Sequence, residues 1–99
     1  MYRRGCRFEY KVKKFLEKAG FTVFRCAGSK PIDLIAVKKD ENPLILLVEC
    51  KTNSILPTSE KEKLIRIAKK TGGIPIFAYP SKNSIILYDL IENKYWRSV

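Results

Sequence analysis

The sequence contains no histidine among its 99 residues, and it contains only three cysteines. The absence of histidine argues against a catalytic triad and against general acid–base catalysis by imidazole. Cys6, Cys26 and Cys50 are odd in number, far apart in the chain and without a Cys-x-x-Cys spacing. This pattern argues against a zinc site and favours reduced, mostly buried thiols in an intracellular protein.

Long apolar runs are also absent. No stretch approaches the ~20 apolar residues of a membrane-spanning helix. The first residues, Met1-Tyr2-Arg3-Arg4, lack the apolar stretch of a secretory signal. We therefore expect no membrane association and a cytoplasmic location. Repeats, low-complexity tracts and linkers are not recognisable, so residues 1–99 are interpreted as one domain with one small core.

Acidic residues are few relative to basic ones. Ten Asp and Glu stand against 20 Lys and Arg, which gives a formal net charge of +10. Such an excess in a small domain favours a polyanionic partner, with nucleic acid first and an anionic membrane surface second. The alternative is a soluble, self-repelling surface without a specific partner, because net charge governs association and not fold.

The order of the apolar patterns predicts an α/β fold with a central mixed sheet flanked by helices. A helical element between two strands favours a crossover connection, which makes the sheet mixed. A second helix is expected to begin near Thr58, with Ser59 and Glu62 as a capping box. The predicted elements are a helix over about 3–19, with Phe8, Val12, Phe15, Leu16 and Ala19 on its apolar face, strands over 21–26, 33–37 and 44–51, the second helix up to 71, and strands over 74–79 and 84–90.

Two of these strands form a predicted β-hairpin that carries charges at its open end. Asp33 begins the first strand, and Glu49 and Lys51 end the second. Residues i and i+2 of a strand face the same side, so Glu49 and Lys51 point together. In an antiparallel hairpin the start of one strand lies beside the end of the other. Asp33 and Glu49 can therefore meet, with Lys51 next to them.

Two carboxylates and an ammonium at the end of an apolar hairpin need partners, because isolated buried charges are costly. One interpretation is a salt bridge in which Lys51 neutralises Glu49 or Asp33. The other is a magnesium site, since hard divalent cations take carboxylate oxygens together with water and phosphate oxygens. Asp33 and Glu49 would then hold the metal, and Lys51 would orient or activate the attacking water.

Glu9 is the unusual residue of the first helix, because it lies at the edge of the apolar stripe. It either pairs with Lys13 at i+4, a common and weak contact, or it contributes to the acidic site.

Basic residues near the first helix and before Asp33 are candidates for phosphate contacts. Arg3, Arg4 and Arg7 cluster at the helix start, where positive charge is unfavourable to the helix dipole. A frayed terminus with solvated arginines is the alternative. Ser29 and Lys30 in the loop before Asp33 contact a phosphate or form an ordinary turn.

Asp33 followed by Glu49-Cys50-Lys51 resembles the Asp…Glu-x-Lys core of restriction-endonuclease-like nucleases, a pattern that is weakly specific alone. Nearly the whole chain resembles the archaeal Holliday junction resolvases, in order and approximate spacing. The matching segments are Tyr2-Arg3-Arg4-Gly5, Phe8-Glu9, Gly20-Phe21, Arg25, Ala27-Gly28-Ser29-Lys30, Asp33-Leu34-Ile35-Ala36, Glu49-Cys50-Lys51-Thr52 and Gly72-Gly73-Ile74-Pro75.

The resemblance implies a restriction-endonuclease-like fold and Mg²⁺-dependent hydrolysis of phosphodiesters in branched DNA, with four-way junctions as the expected substrate and Mn²⁺ as a substitute metal. It implies that Glu9, Asp33 and Glu49 ligate the metal, directly or through water. Lys51 positions the water and Ser29 assists at the phosphate. The expected DNA-binding residues are Arg3, Arg4, Arg7, Arg25 and Lys30.

Two alternatives remain open from the sequence: a repair or restriction-type nuclease with another DNA substrate, and a non-catalytic nucleic-acid-binding module on the same fold. A junction must be cut on two opposing strands, which predicts a two-fold symmetric homodimer. The candidate interface comprises apolar residues of the second helix, such as Ile67, and the strands around Ile76 and Ile86. The C-terminal Tyr95-Trp96 pair packs either on the core edge or on a second subunit.

Overall fold

A computed structural model describes residues 4–28 and 30–96, without the side chains of Arg4 and Gly5. Within these residues the chain forms two helices and six strands. The elements are α1 (Arg4–Lys18), β1 (Thr22–Arg25), β2 (Leu34–Lys38), β3 (Leu44–Cys50), α2 (Thr58–Thr71), β4 (Ile74–Ser81), β5 (Ser84–Asp89) and β6 (Lys94–Tyr95).

The six strands form one sheet in which the spatial order follows the chain, from β1 to β6. Among these strands β3 and β4 pair in parallel, and the other neighbours are antiparallel. The connection between β3 and β4 contains α2, as a parallel pair requires. The predicted α/β fold with a mixed sheet is therefore confirmed.

The predicted hairpin is formed by β2 and β3, in the register that pairs Leu34 with Val48. The ladder continues one residue further, because the backbone N–H of Asp33 donates to the carbonyl of Val48 at 2.8 Å. Asp33 directly precedes β2, and Lys51 directly follows β3. Both residues consequently lie at the same end of the sheet.

The central strand β3 is covered on both faces. Leu46 and Val48 belong to the cluster under α1, and Leu47 belongs to the cluster under α2. Helices on both faces explain why the strand is almost continuously apolar in sequence. The same covering extends to Glu49, whose exposed fraction is 0%.

The two helices depart from the sequence prediction in detail. Phe15 is 41% exposed, because it lies at the edge of the stripe by which α1 packs on the sheet. The capping box is wrong: α2 is capped at Pro57, without a side-chain capping bond among the described residues, so Ser59 already lies inside the first turn. Gly72 ends α2 as predicted, in the left-handed conformation (φ +81°) that glycine adopts at low cost.

The last described residues pack on the core edge. The Trp96 ring meets Phe21 edge to face, with 5.8 Å between the ring centroids. The rings of Tyr95 and Tyr88 also meet, with 5.5 Å between their centroids, and Tyr95 stays largely exposed.

Ile76 has an exposed fraction of 0%, so its prediction as a subunit-interface residue is wrong, since β4 is an interior strand. Neither α1 nor α2 has the length and apolar character to cross a membrane.

Candidate active site

The side chain of Asp33 completes the hairpin at its open end. Its Oδ2 atom accepts a hydrogen bond from the backbone N–H of Cys50, with 2.8 Å between oxygen and nitrogen. Cys50 is the last residue of β3 and lies beyond Val48, which pairs with Leu34, the first residue of β2. The side chain of Asp33 therefore supplies the acceptor for the backbone N–H of Cys50 at the end of the ladder. This bond fixes the carboxylate of Asp33 beside the backbone that carries Glu49 and Lys51.

Glu49 is a fully buried carboxyl group without a hydrogen-bond donor in the described part of the chain, for either of its oxygens. Its near neighbours include two other carboxyl groups, those of Asp33 and Glu60. Burial, followed by these neighbours, raises the pKa of Glu49 to about 10, against the opposing charge of Lys51. Without a metal, Glu49 therefore holds a proton at neutral pH, and that proton can be shared with a neighbouring carboxylate.

Lys51 lies between two acids. Its Nζ atom is 3.1 Å from Oε1 of Glu60 and 3.8 Å from Oε2 of Glu49. Its backbone N–H donates to the carbonyl of Ala78 on β4 at 3.0 Å, which holds the main chain in the sheet. Partial burial works to lower the pKa of Lys51, but the ion pair with Glu60 and the surrounding carboxylates outweigh it and raise the pKa. Lys51 is therefore a cation at neutral pH.

Glu60 is the site residue that sequence reasoning missed. It lies in the first turn of α2, and the neighbouring protonated carboxyl group of Glu49, followed by the contact with Lys51, lowers its pKa. The acid was unremarkable in the sequence because acidic residues are common in a first helical turn. The usable signal was topological: α2 follows β3 after a short loop, so its N-terminus starts beside the end of β3.

Glu9 reaches the site from α1. Its Oε1 atom forms a long ion pair with Arg25, 3.8 Å from the guanidinium. Burial and the charge of Asp33 raise the pKa of Glu9, against the opposing charges of Arg25 and Lys30. The alternative pairing with Lys13 is wrong, because the Lys13 ammonium contacts Glu17 at 2.8 Å instead.

The remaining predicted residues are only partly described. Arg3 and Ser29 lie outside the described residues, and Arg4 is described by its backbone alone. Arg7 and Lys30 are exposed. Arg7 lines a cleft of about 350 Å³ together with Phe8, Lys11, Thr52 and Pro80. Among these residues, Thr52 directly follows Lys51 in the chain.

The donor set at the hairpin end fits a hard divalent cation. Asp33 and Glu49 offer carboxylate oxygens, and those of Glu49 are buried without donors, which makes a cation a suitable partner. Within residues 4–28 and 30–96, no group of three His, Cys, Asp or Glu side chains has the spacing to hold a metal ion. The site as it stands thus offers a pair of carboxylates, and Glu9 is a neighbour that does not complete a three-residue set.

The sequence model of the family described as archaeal Holliday junction resolvase (Hjc) matches residues 1–95. The crossover junction endodeoxyribonuclease Hjc of Methanocaldococcus jannaschii is 46% identical over an alignment of 81 residues, and the alignment covers 78% of this chain and 59% of that protein. The match therefore spans less than two thirds of the relative's length.

A solved structure supports the same relationship. The structure of Archaeoglobus fulgidus Hjc, a Holliday junction resolvase from an archaeal hyperthermophile, superimposes with a TM-score of 0.74 at 25% sequence identity. The superposition covers 94% of this chain and 82% of that one. The fold resemblance stated from the sequence is thereby confirmed.

Proposed function

Because the chain belongs to the archaeal Holliday junction resolvase family, we propose that it is a metal-dependent endodeoxyribonuclease that cleaves four-way DNA junctions. The observation that carries the proposal is the buried carboxyl group of Glu49. It has no donor among the described residues, and it lies beside Asp33 and 3.8 Å from the Lys51 ammonium. A fold does not require such a costly arrangement, whereas a cation-dependent reaction does.

Asp33 and Glu49 are the residues that hold Mg²⁺, or Mn²⁺ in its place, in this proposal. When bound, the cation neutralises charge that develops on the scissile phosphate and lowers the pKa of the attacking water. Glu49 would hold the cation as a carboxylate, with its proton released to solvent. Asp33 stays oriented by the N–H of Cys50, and Lys51 positions the water with its charged amine.

Glu9, Ser29 and the basic residues keep supporting roles in the proposal. Glu9 lies near Asp33 and would act on the cation through water, because among the described residues it does not complete a three-residue metal-binding set. Ser29 contacts the phosphate. The DNA backbone is bound by basic residues, for which the proposal names Arg3, Arg4, Arg7, Arg25 and Lys30.

A homodimer is the assembly that the substrate favours. A junction is resolved by two cuts on opposing strands, and one domain carries one Asp33–Glu49–Lys51 site. Two subunits with a charge of +10 each repel, so their interface must bury apolar side chains. Ile67 and Ile86 are partly buried and remain candidates. Sedimentation equilibrium at moderate salt tests the assembly: twice the chain mass is expected, and a monomer mass at micromolar protein contradicts it.

The substrate is tested by incubating the protein with Mg²⁺ and, separately, a labelled immobile four-way junction, a linear duplex and a flap. Cleavage of the junction, with little cleavage of the other two, is expected, and EDTA should abolish it. Equal cleavage of all three substrates would replace the junction assignment by a more general nuclease. Binding without cleavage of any would favour a nucleic-acid-binding module on the nuclease fold.

A further inference from the structure

We propose that Glu60 is a positioning residue of the active site, which holds the Lys51 ammonium in place while Asp33 and Glu49 hold the metal. The inference rests on the proposed function, because it assigns Lys51 a role in phosphodiester hydrolysis. It concerns a residue of α2, outside the hairpin that supplies the other three.

The first argument is the contact geometry. Lys51 Nζ lies 3.1 Å from Glu60 Oε1 and 3.8 Å from Glu49 Oε2, so Glu60 is its nearer acidic partner. The two side chains are 23% and 30% exposed, which makes this a partly shielded ion pair. Exposed ion pairs contribute little to stability because both side chains lose conformational freedom when they pair. A pair whose side chains start from two rigid elements has less conformational freedom to lose.

The second argument is the rigidity of the elements that carry the pair. The main chain of Lys51 is bound to β4 through the carbonyl of Ala78. Glu60 lies one turn before Leu64, which is fully buried against the sheet, and two turns before Ala68. Both partners therefore project from backbone that is fixed by the core. A catalytic amine held from such supports keeps its position more precisely than one on a free side chain.

The third argument is electrostatic. A cation bound by the deprotonated Glu49 repels the Lys51 ammonium, and without the cation Glu49 holds a proton and offers the amine no negative charge. Glu60 is then the carboxylate that remains available to hold the amine near the metal. The arrangement divides the acids by role: Asp33 and Glu49 face the cation, and Glu60 faces the lysine.

The test compares Glu60→Gln and Glu60→Asp with Glu62→Gln. Glu62 is exposed on the same helix, so its substitution removes the same charge away from Lys51. Two readouts are measured: the single-turnover cleavage rate of a four-way junction at saturating protein, and the order of the Lys51 side chain by NMR of its ¹³Cε group in metal-free protein. Junction affinity with Ca²⁺ and the midpoint of thermal unfolding are recorded for every variant.

Glu60→Gln is expected to lower the cleavage rate roughly 10- to 100-fold, the range typical of outer partners of functional groups. Junction affinity should stay unchanged, and Lys51 should become more mobile. Glu60→Asp should recover part of the rate, and Glu62→Gln should resemble the wild type in both readouts. Unchanged Lys51 order, or a rate loss matched by lost junction affinity, would overturn the inference.

The two proposals fail in different ways. If the wild type cleaves no DNA but Glu60→Gln still frees Lys51, the proposed nuclease function is wrong while the positioning contact stands. If the wild type cleaves junctions and Glu60→Gln cleaves at the same rate, the nuclease function stands and the role of Glu60 is wrong. A thermal-unfolding midpoint that falls without any change in cleavage rate would mean that the ion pair serves only to anchor α2.

Discussion

The Oδ2 atom of Asp33 lies 2.8 Å from the backbone nitrogen of Cys50, and this hydrogen bond joins the two strands of the hairpin at the candidate active site. Cys50 stands between Glu49 and Lys51 in the chain. The bond therefore holds the carboxylate of Asp33 at a fixed distance from the backbone of Glu49 and from the backbone of Lys51. The site is a continuation of the hairpin ladder, and its geometry follows from strand register.

Replacing Glu49 with glutamine should stabilise the metal-free protein at neutral and alkaline pH. Because the pKa of Glu49 is raised to about 10, the folded protein holds a proton that the unfolded chain releases above a pKa of about 4.5. The stability contributed by this bound proton is complete below the pKa of Glu49 in the unfolded chain, and it is lost as pH rises toward the pKa in the folded protein. The expected gain of Glu49→Gln at pH 8 is on the order of 3 kcal/mol.

Urea unfolding of both proteins at pH 5 and pH 8 measures this effect. The free energies of unfolding should be close at pH 5 and should separate at pH 8, with the variant higher. Glu62→Gln is the control, because Glu62 is exposed on α2 and should show no such separation. A Glu49→Gln variant that is less stable than the wild type at pH 8 would mean that Glu49 is not buried as a protonated acid.

Mg²⁺ should raise the midpoint of thermal unfolding, Tm, of the wild type at pH 8. At a concentration of about ten times the dissociation constant, a ligand of the folded state adds about 1.4 kcal/mol. For a domain of this size that corresponds to roughly 6–11 °C. The shift should shrink at pH 6, because the cation must displace the proton of Glu49.

Glu49→Gln should lose most of this Mg²⁺-dependent rise, whereas Glu62→Gln should keep it. Calorimetry or a dye-free fluorescence melt, followed at several Mg²⁺ concentrations, is sufficient. An equal rise in all three proteins would assign the metal effect to the protein surface and not to the Asp33–Glu49 pair.

DNA binding should depend steeply on salt, and Lys30 should contribute to the slope. Each phosphate neutralised contributes a slope of about −0.9 in the plot of log affinity against log salt. Lys30→Ala should weaken junction binding in Ca²⁺ and reduce the steepness of the slope by about one. Lys39→Ala is the matched control, since Lys39 is exposed just after β2, at the end of that strand away from Asp33. Equal effects of both substitutions would argue against a localised DNA interface.

The fold and the hairpin end of the site could be predicted from the sequence because their signals are local. Alternating and continuous apolar runs indicated the strands, and the i, i+2 rule placed Glu49 and Lys51 on one side. Asp33 met the end of β3 as antiparallel pairing requires. Burial of Phe15 was wrongly predicted, because helical spacing does not define how wide a stripe the sheet covers.

The contacts made between distant elements could not be predicted in the same way. The ion pair of Lys51 with Glu60 depends on how the start of α2 lies relative to the sheet, which the correctly predicted start near Thr58 does not define. The long pair between Glu9 and Arg25 likewise depends on how α1 crosses β1. Such contacts follow from packing, which residue spacing does not encode.

Single-turnover cleavage of a labelled four-way junction by the wild type, Asp33→Asn and Glu49→Gln tests the central claim most directly, with junction binding measured in Ca²⁺ on the same preparations. The wild type should cut two opposing strands in Mg²⁺. Both variants should bind the junction with unchanged affinity and cut it at least roughly 100-fold more slowly, because each has lost a charged metal ligand. Asparagine at position 33 can still accept the hydrogen bond from Cys50, so the hairpin should persist. Cleavage by either variant at the wild-type rate would contradict the assignment of Asp33 and Glu49 as the metal-binding pair.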